Sequence, residues 1–169
     1  MKTAGIILAI VLAVAFQTTI ARFVVSGVVA VDLVLVVVIY VALSSGSVPG
    51  LLTGTLAGLI QDPMSTGVIG IGGLAKAIVG FVTGIIGTQL NIAEPVARFV
   101  VFFAATVVHQ GIKIGLESVL GIKPFGAPYA AIAGEALGNA VVGVAAFQLS
   151  ELLPGAVERR RMGRGRLRR

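Results

Sequence analysis

Long apolar stretches, broken only by isolated charges and short clusters of Gly, Pro and Ser, run through this chain from one end to the other. Nothing constrains its fold more. A helix needs about 20 predominantly apolar residues to cross a hydrocarbon core of ~30 Å, and in crossing it satisfies every backbone amide within itself. Of the 169 residues, 57% are hydrophobic and 12% charged, which is too little polar surface for a water-soluble domain of this size. The expected fold class is therefore all-α, a polytopic bundle in a membrane.

Dividing the runs at charges, Gly, Pro and polar clusters predicts six transmembrane helices. The first covers Thr3 to Ala21 and is closed by Arg22; the second covers Val28 to Leu43, with Asp32 near its start and Ser44 to Ser47 as its exit. The third, Val48 to Gln61, is short for a crossing and is followed by a turn at Asp62-Pro63. The fourth covers Val68 to Leu90, the fifth Val96 to Leu116 behind a first-turn Pro95, and the sixth Tyr129 to Leu153, ended by Pro154-Gly155. The Met1-Lys2 start and the Ala13-Val14-Ala15 triplet have the look of a secretory signal, but the rest of the chain is equally apolar, so the run reads as a first span. Residues 1–157 form the transmembrane domain and 158–169 a basic tail. The alternative topology has five crossings, with the second and third segments making a hairpin that does not fully cross.

Charge is concentrated at one end. The last twelve residues carry Arg159, Arg160, Arg161, Arg164, Arg166, Arg168 and Arg169 against the single Glu158, whereas the rest of the chain holds six basic and six acidic residues. An even number of crossings puts both termini on one side, and the positive-inside rule makes that side cytoplasmic. Arg98 agrees; Arg22 and Lys123 face outward as mild exceptions. The arginines suit anionic lipid or a cytoplasmic protein; the tail has no aromatic residue to stack bases, which argues against nucleic acid.

Small residues mark the faces on which helices can meet, because in lipid close backbone approach replaces the hydrophobic drive. Gly50, Gly54 and Gly58 form one stripe, Gly70, Gly73, Ala77, Gly80, Gly84 and Gly87 another, and Ala130, Gly134 and Gly138 a third, with a shorter one at Ala9 and Ala13. The first two are expected to pack on each other; any of the stripes could instead receive a partner protein. An unpaired charge at mid-membrane costs at least ~2.5 kcal/mol. Lys76 and Glu135, at similar depth, form a candidate intramembrane ion pair, read as structural with a substrate or proton site as the alternative.

His109, Lys113 and Glu117 share a helix face, the last two falling at the outer interface where a solvated pair is expected rather than a relay. Asp62 can cap the turn after it, Asp32 can pair with Arg22, and Asn139 and Gln148 can donate between helices. With no cysteine and one histidine, neither a thiol nucleophile nor a multi-histidine metal site is available, and no nucleophile–base set is visible. No catalytic residue, metal or cofactor is assigned.

Several segments, in order and spacing, resemble the MreD family of bacterial rod shape-determining proteins. They are Asp32-Leu33, Tyr40-Val41-Ala42-Leu43, Pro49-Gly50, the run from Gly54 through Gly58 to Asp62, and Gly70 followed by Leu74-Ala75-Lys76 and Gly80. Asp32, Pro49, Gly58, Asp62 and Lys76 are the motif positions; Gln61 departs from the apolar residue common before the aspartate, and the arginine tail lies outside the pattern. The resemblance implies a six-helix fold like the substrate-binding subunits of energy-coupling-factor transporters and a place in the bacterial inner membrane. It also implies a non-enzymatic scaffold in the complex that elongates the peptidoglycan side wall, with MreC as partner and RodA, a class B penicillin-binding protein and MreB as further members. The alternative function is a solute-binding membrane subunit of a transporter.

Overall fold

The computed structural model describes residues 3–21, 31–64, 68–90, 92, 94–122 and 129–166, of which 3, 4, 18, 20, 21 and 153–166 are described as backbone only. Among these residues six α-helices follow one another: α1 (Thr3–Ala21), α2 (Leu33–Ser45), α3 (Ser47–Gln61), α4 (Ile71–Gln89), α5 (Pro95–Val119) and α6 (Tyr129–Arg166), with a 3-10 turn at Asp62–Met64. No strand occurs among the described residues.

Three of these helices are long and apolar enough to cross a membrane: α4, α5 and the stretch Tyr129–Leu152 of α6. The apolar parts of α1 and α2, Gly5–Gln17 and Leu33–Ser45, are shorter. With 13 and 15 residues, α2 and α3 reach only about 20 and 22 Å against a hydrocarbon core of ~30 Å.

A single residue separates these two helices. Gly46 has φ +99°, a conformation open to glycine and strained for any residue with a Cβ, and it flanks the C-terminus of α2 and the N-terminus of α3 at once. The serines expected to form a linker are absorbed, Ser44 and Ser45 into α2 and Ser47 into α3. Pro49 is tolerated in the first turn of α3 because amides there have no intrahelical acceptor to lose.

The bundle is organised around α2, which touches all five other helices. Val34, Leu35, Val36, Val38, Ile39, Val41 and Ala42 are all buried, so this helix is apolar on every side because every side meets protein. Ile10, Ala13 and Val14 of α1 and Ala57 of α3 pack on one flank of it. On the other, Val79 of α4, Phe102 and Ala105 of α5 and Ala140 of α6 close a second cluster. Helix α1 leaves Leu8, Val11, Leu12 and Phe16 exposed, as befits a bundle edge.

Helices α3 and α4 meet backbone to backbone. A Cβ on Gly50 would strike the Gly80 carbonyl, one on Gly54 the Lys76 carbonyl, and one on Gly58 the Cα of Gly73; Gly84 lies on Ser47 and Gly87 on Leu43. Ala77, in the same stripe, is buried.

The third stripe behaves differently. The face of α6 that enters the bundle carries Ala136, Asn139, Ala140 and Gly143, where a Cβ on Gly143 would meet the Phe102 ring. Gly134 and Gly138 lie two residues from Ala136 and Ala140, on the far side of the helix, and are only half-buried, while Ala130 is exposed. Helix α6 also runs through Pro154-Gly155 to Arg166 instead of ending there. One proline removes one intrahelical amide, and the Ala, Val, Glu, Met and Arg residues that follow are compatible with continued helix.

Candidate functional site

Because the helices alternate in direction, the ends of α1, α3 and α5 share one end of the bundle with the starts of α2, α4 and α6. The polar residues of the interior gather there. The first amides of α2 need acceptors, and side chains supply them: Asn139 Oδ1 accepts from Asp32 N (2.9 Å), Gln17 Oε1 from Val34 N (3.3 Å) and Asp32 Oδ1 from Leu35 N (3.0 Å). Asn139 Nδ2 donates in turn to Thr106 Oγ1 at 3.2 Å, so α2, α5 and α6 are joined by one fully buried amide.

The other oxygen of Asp32 holds a charge. Lys76 Nζ lies 3.0 Å from Asp32 Oδ2, with both side chains almost wholly buried, and 3.5 Å from His109 Nε2. An ammonium can only donate, so the facing imidazole nitrogen presents its lone pair and the ring proton sits on Nδ1. Lys76 is therefore paired with Asp32, not with Glu135 as its depth suggested. The reason is lateral: among the described residues α4 touches α2, α3 and α5 but not α6. Glu135 accepts from Gln110 Nε2 at 2.5 Å. Arg22, the partner expected for Asp32, lies outside the described residues, as does Lys123.

Asp62 is buried and its Oδ2 accepts from Gly70 N (2.7 Å) and Gly73 N (3.1 Å), which caps α4 across the intervening turn. A Cβ on Gly72 would collide with Asp62 Oδ1, so the carboxylate and the glycines fit each other. Glu117, expected at a solvated interface, is buried and has an interaction partner. Gln148, expected to bond between helices, is exposed.

These groups surround a cavity of ≈ 180 Å³ lined by Gln17, Asp32, Gln61, Asp62, Lys76, His109, Gln110, Lys113, Glu117 and Glu135. The ligand atoms of Asp32, His109 and Glu135 lie within 4.8 Å of one another, a spacing that suits a metal ion. The Lys76 ammonium lies against two of those three groups, so a divalent ion there would share its ligands with a buried positive charge.

At the opposite end of the bundle Arg98 of α5 is buried, donates from Nε to the Ile92 carbonyl (3.2 Å) and from a terminal nitrogen to Glu151 of α6 (2.6 Å), and lies 4.6 Å over the Phe147 ring. Tyr40 and Phe102 pack on the same ring. Arg98→Ala is expected to lower stability by about 1 kcal/mol through the lost ring contact. Glu151→Ala is expected to change little, since that side chain is more than half exposed. Thermal unfolding of the two variants in detergent checks the difference; an equal loss from both would show that the ion pair, not the ring, carries the effect.

Of the residues singled out in the sequence, Lys76, Glu135, Asp32, Asp62, His109, Lys113 and Glu117 come together around the one cavity. Gln17, Gln61 and Gln110 also line it and were missed; their only signal in the sequence was an amide side chain within or at the end of an apolar helix. Arg159, Arg160, Arg161, Arg164 and Arg166 lie on the distal part of α6, whose side chains are not described, and Arg168 and Arg169 lie outside the described residues.

Comparison with protein families matches residues 2–134 to the family described as MreD, rod shape-determining protein MreD. No curated protein and no solved structure matches the chain.

Proposed function

The chain belongs to the MreD family of rod shape-determining proteins, and on that premise we propose that it is a non-enzymatic membrane scaffold of the bacterial side-wall elongation complex. It holds MreC, with RodA, a class B penicillin-binding protein and MreB as further members of the assembly. The family match over residues 2–134 is the observation that carries this reading. The buried polar groups support it, since Asp32 and Asp62 cap helices, Asn139 joins three of them, and Lys76 balances the charge of Asp32.

In this reading the protein sits in the cytoplasmic membrane with six helices forming the bundle, both termini inside and the arginine-rich end of α6 near anionic headgroups or a cytoplasmic component. The end carrying Arg98 and Glu151 is then inner, and the polar cavity opens on the outer side. The stripe Ala130–Gly134–Gly138 is turned away from the bundle, so it is the surface we assign to the transmembrane helix of MreC.

The test is affinity purification of the tagged protein from detergent extracts. MreC is expected to co-purify with the wild type and to be lost from the Gly134→Leu/Gly138→Leu double variant, whose own thermal unfolding transition is measured alongside to show that the variant still folds. A second reading, a solute-binding transporter subunit, draws on the cavity; recovery of an ATP-binding cassette protein in place of MreC would select it.

A further inference from the structure

The five helices that touch α2 do not close around it. Among the described residues α1 meets α3, α3 meets α4, α4 meets α5 and α5 meets α6, while α1 and α6 make no contact. The burial of α2 shows the same opening. Leu33, Val37 and Tyr40 are only partly buried and Ser44 is exposed, whereas the remaining residues from Val34 to Ala42 are buried. At four-, three- and four-residue spacing these four share one face of the helix. Leu33 and Val37 border the cluster that holds Ile10, Ala13 and Val14 of α1, and Tyr40 lies on Phe147 of α6, so that face looks out between α1 and α6.

The cleft changes character along its length. Where α2 begins it meets the polar cavity, which is lined by Gln17 of α1 on one side of the opening, by Glu135 of α6 on the other and by Asp32, the residue before Leu33. From there on Leu33, Val37 and the ring of Tyr40 make an apolar floor. From Leu33 to Ser44 the floor runs about 16 Å, close to the half of a ~30 Å hydrocarbon core that belongs to one leaflet. A partner's transmembrane helix needs the whole thickness, whereas the acyl chain of one leaflet needs this much.

Inside the cavity Asp32 and Lys76 balance each other, and Glu135 accepts from Gln110. Lys113 lines the same cavity and makes no salt bridge within 4.0 Å among the described residues. A cationic group in a polar chamber at the head of an apolar cleft suits a phosphate joined to a hydrocarbon chain. We propose that one phospholipid from the leaflet on the cavity side occupies this cleft, with an acyl chain along Leu33, Val37 and Tyr40 and its phosphate in the cavity beside Lys113. The cavity, at ≈ 180 Å³, is roughly ten times the ~10–15 Å³ that one water requires. This inference does not depend on the scaffold reading; the purification described above tests that one separately.

The experiment adds lysophosphatidylglycerol, which has a single acyl chain, to the full-length protein in an uncharged detergent and reads native mass spectra. Glycerol 3-phosphate, a head without a chain, is run in parallel. The wild type is expected to take up one lysolipid saturably and to bind glycerol 3-phosphate at least about tenfold more weakly, because burial of the chain supplies most of the affinity. This comparison is made on the wild type, so it stands whether or not a variant folds.

Val37→Trp, which fills the floor of the cleft, is expected to weaken lysolipid uptake by about tenfold or more. Lys113→Gln is expected to weaken it by about fivefold, the effect of one basic side chain on an anionic head. Thermal unfolding of both variants shows that they fold. Equal binding of glycerol 3-phosphate, uptake that does not saturate at one lysolipid, or undiminished uptake in either folded variant overturns the proposal. A dimer of the wild type that Val37→Trp dissociates overturns it in favour of a second copy of the chain in the cleft.

Discussion

Gly54→Leu is expected to prevent α3 and α4 from assembling, at a cost of about 3 kcal/mol or more. The position leaves nothing to adjust. A Cβ there would fall on the carbonyl of Lys76 and the amide of Ala77, which belong to the backbone of a packed helix and cannot swing aside as a side chain could. In lipid that close approach is also the source of the attraction, so separating the helices to admit a side chain forfeits the dispersion contacts along both glycine stripes. Gly111→Leu is the control, because nothing lies within 4 Å of a Cβ at Gly111 and that residue is exposed. Thermal unfolding and the monodisperse yield in detergent measure both; a Gly54→Leu variant as stable as Gly111→Leu would mean that α3 and α4 do not touch in this way.

Lys76→Met is expected to cost roughly 3–5 kcal/mol, because it strands the Asp32 carboxylate inside the bundle without its counter-charge. The size of the loss comes from the group left behind more than from the pair itself. Adding Asp32→Asn to Lys76→Met is therefore expected to recover most of the stability. Asparagine removes the charge and still offers a side-chain oxygen to cap α2 at Leu35, as Asp32 Oδ1 does. Adding Glu135→Gln instead is expected to recover little. A double-mutant cycle on unfolding free energies separates the partners. Rescue by Glu135→Gln and not by Asp32→Asn would return the lysine to the partner its depth alone suggested.

That comparison also shows what a linear sequence conveys about a membrane bundle and what it hides. Helix existence was legible because apolar runs of bilayer length have few interpretations; α1 spans the residues expected of it, and α4 and α5 differ from expectation by three residues or fewer at each end. Lys76 and Glu135, expected at similar depth, do line one cavity. Azimuth was not legible, because counting residues from a helix end says how far a side chain is from the surface and nothing about which neighbour it faces. Lys76 meets Asp32 because α2 occupies the middle of the bundle, a position no local pattern records.

The same limit applies to the small-residue stripes. Gly50, Gly54 and Gly58 lie against the backbone of α4 or the side chains of α2, whereas Gly134 and Gly138 lie across α6 from its buried residues and are half-buried, although their spacing is the same. Gly143, which does receive the Phe102 ring, continues a row with Ala136 and Ala140 that the sequence reading did not single out. The glutamines around the cavity were overlooked for a related reason, since an amide in an apolar helix says little until a second and third polar group are seen to converge on it.

The shortness of α3 has a consequence for the surrounding lipid. Leu52, Leu56 and Leu59 present an apolar surface to the bilayer along a rod of about 22 Å, whereas α5, with 25 residues, extends about 37 Å on another side. In the six-span topology proposed above, acyl chains bordering the first would compress or splay to meet it, and those bordering the second would not. Such a molecule would dimple the leaflets along one flank, and because that deformation costs energy for every ångström of mismatch, it would draw toward that flank any neighbour whose own hydrophobic belt is short.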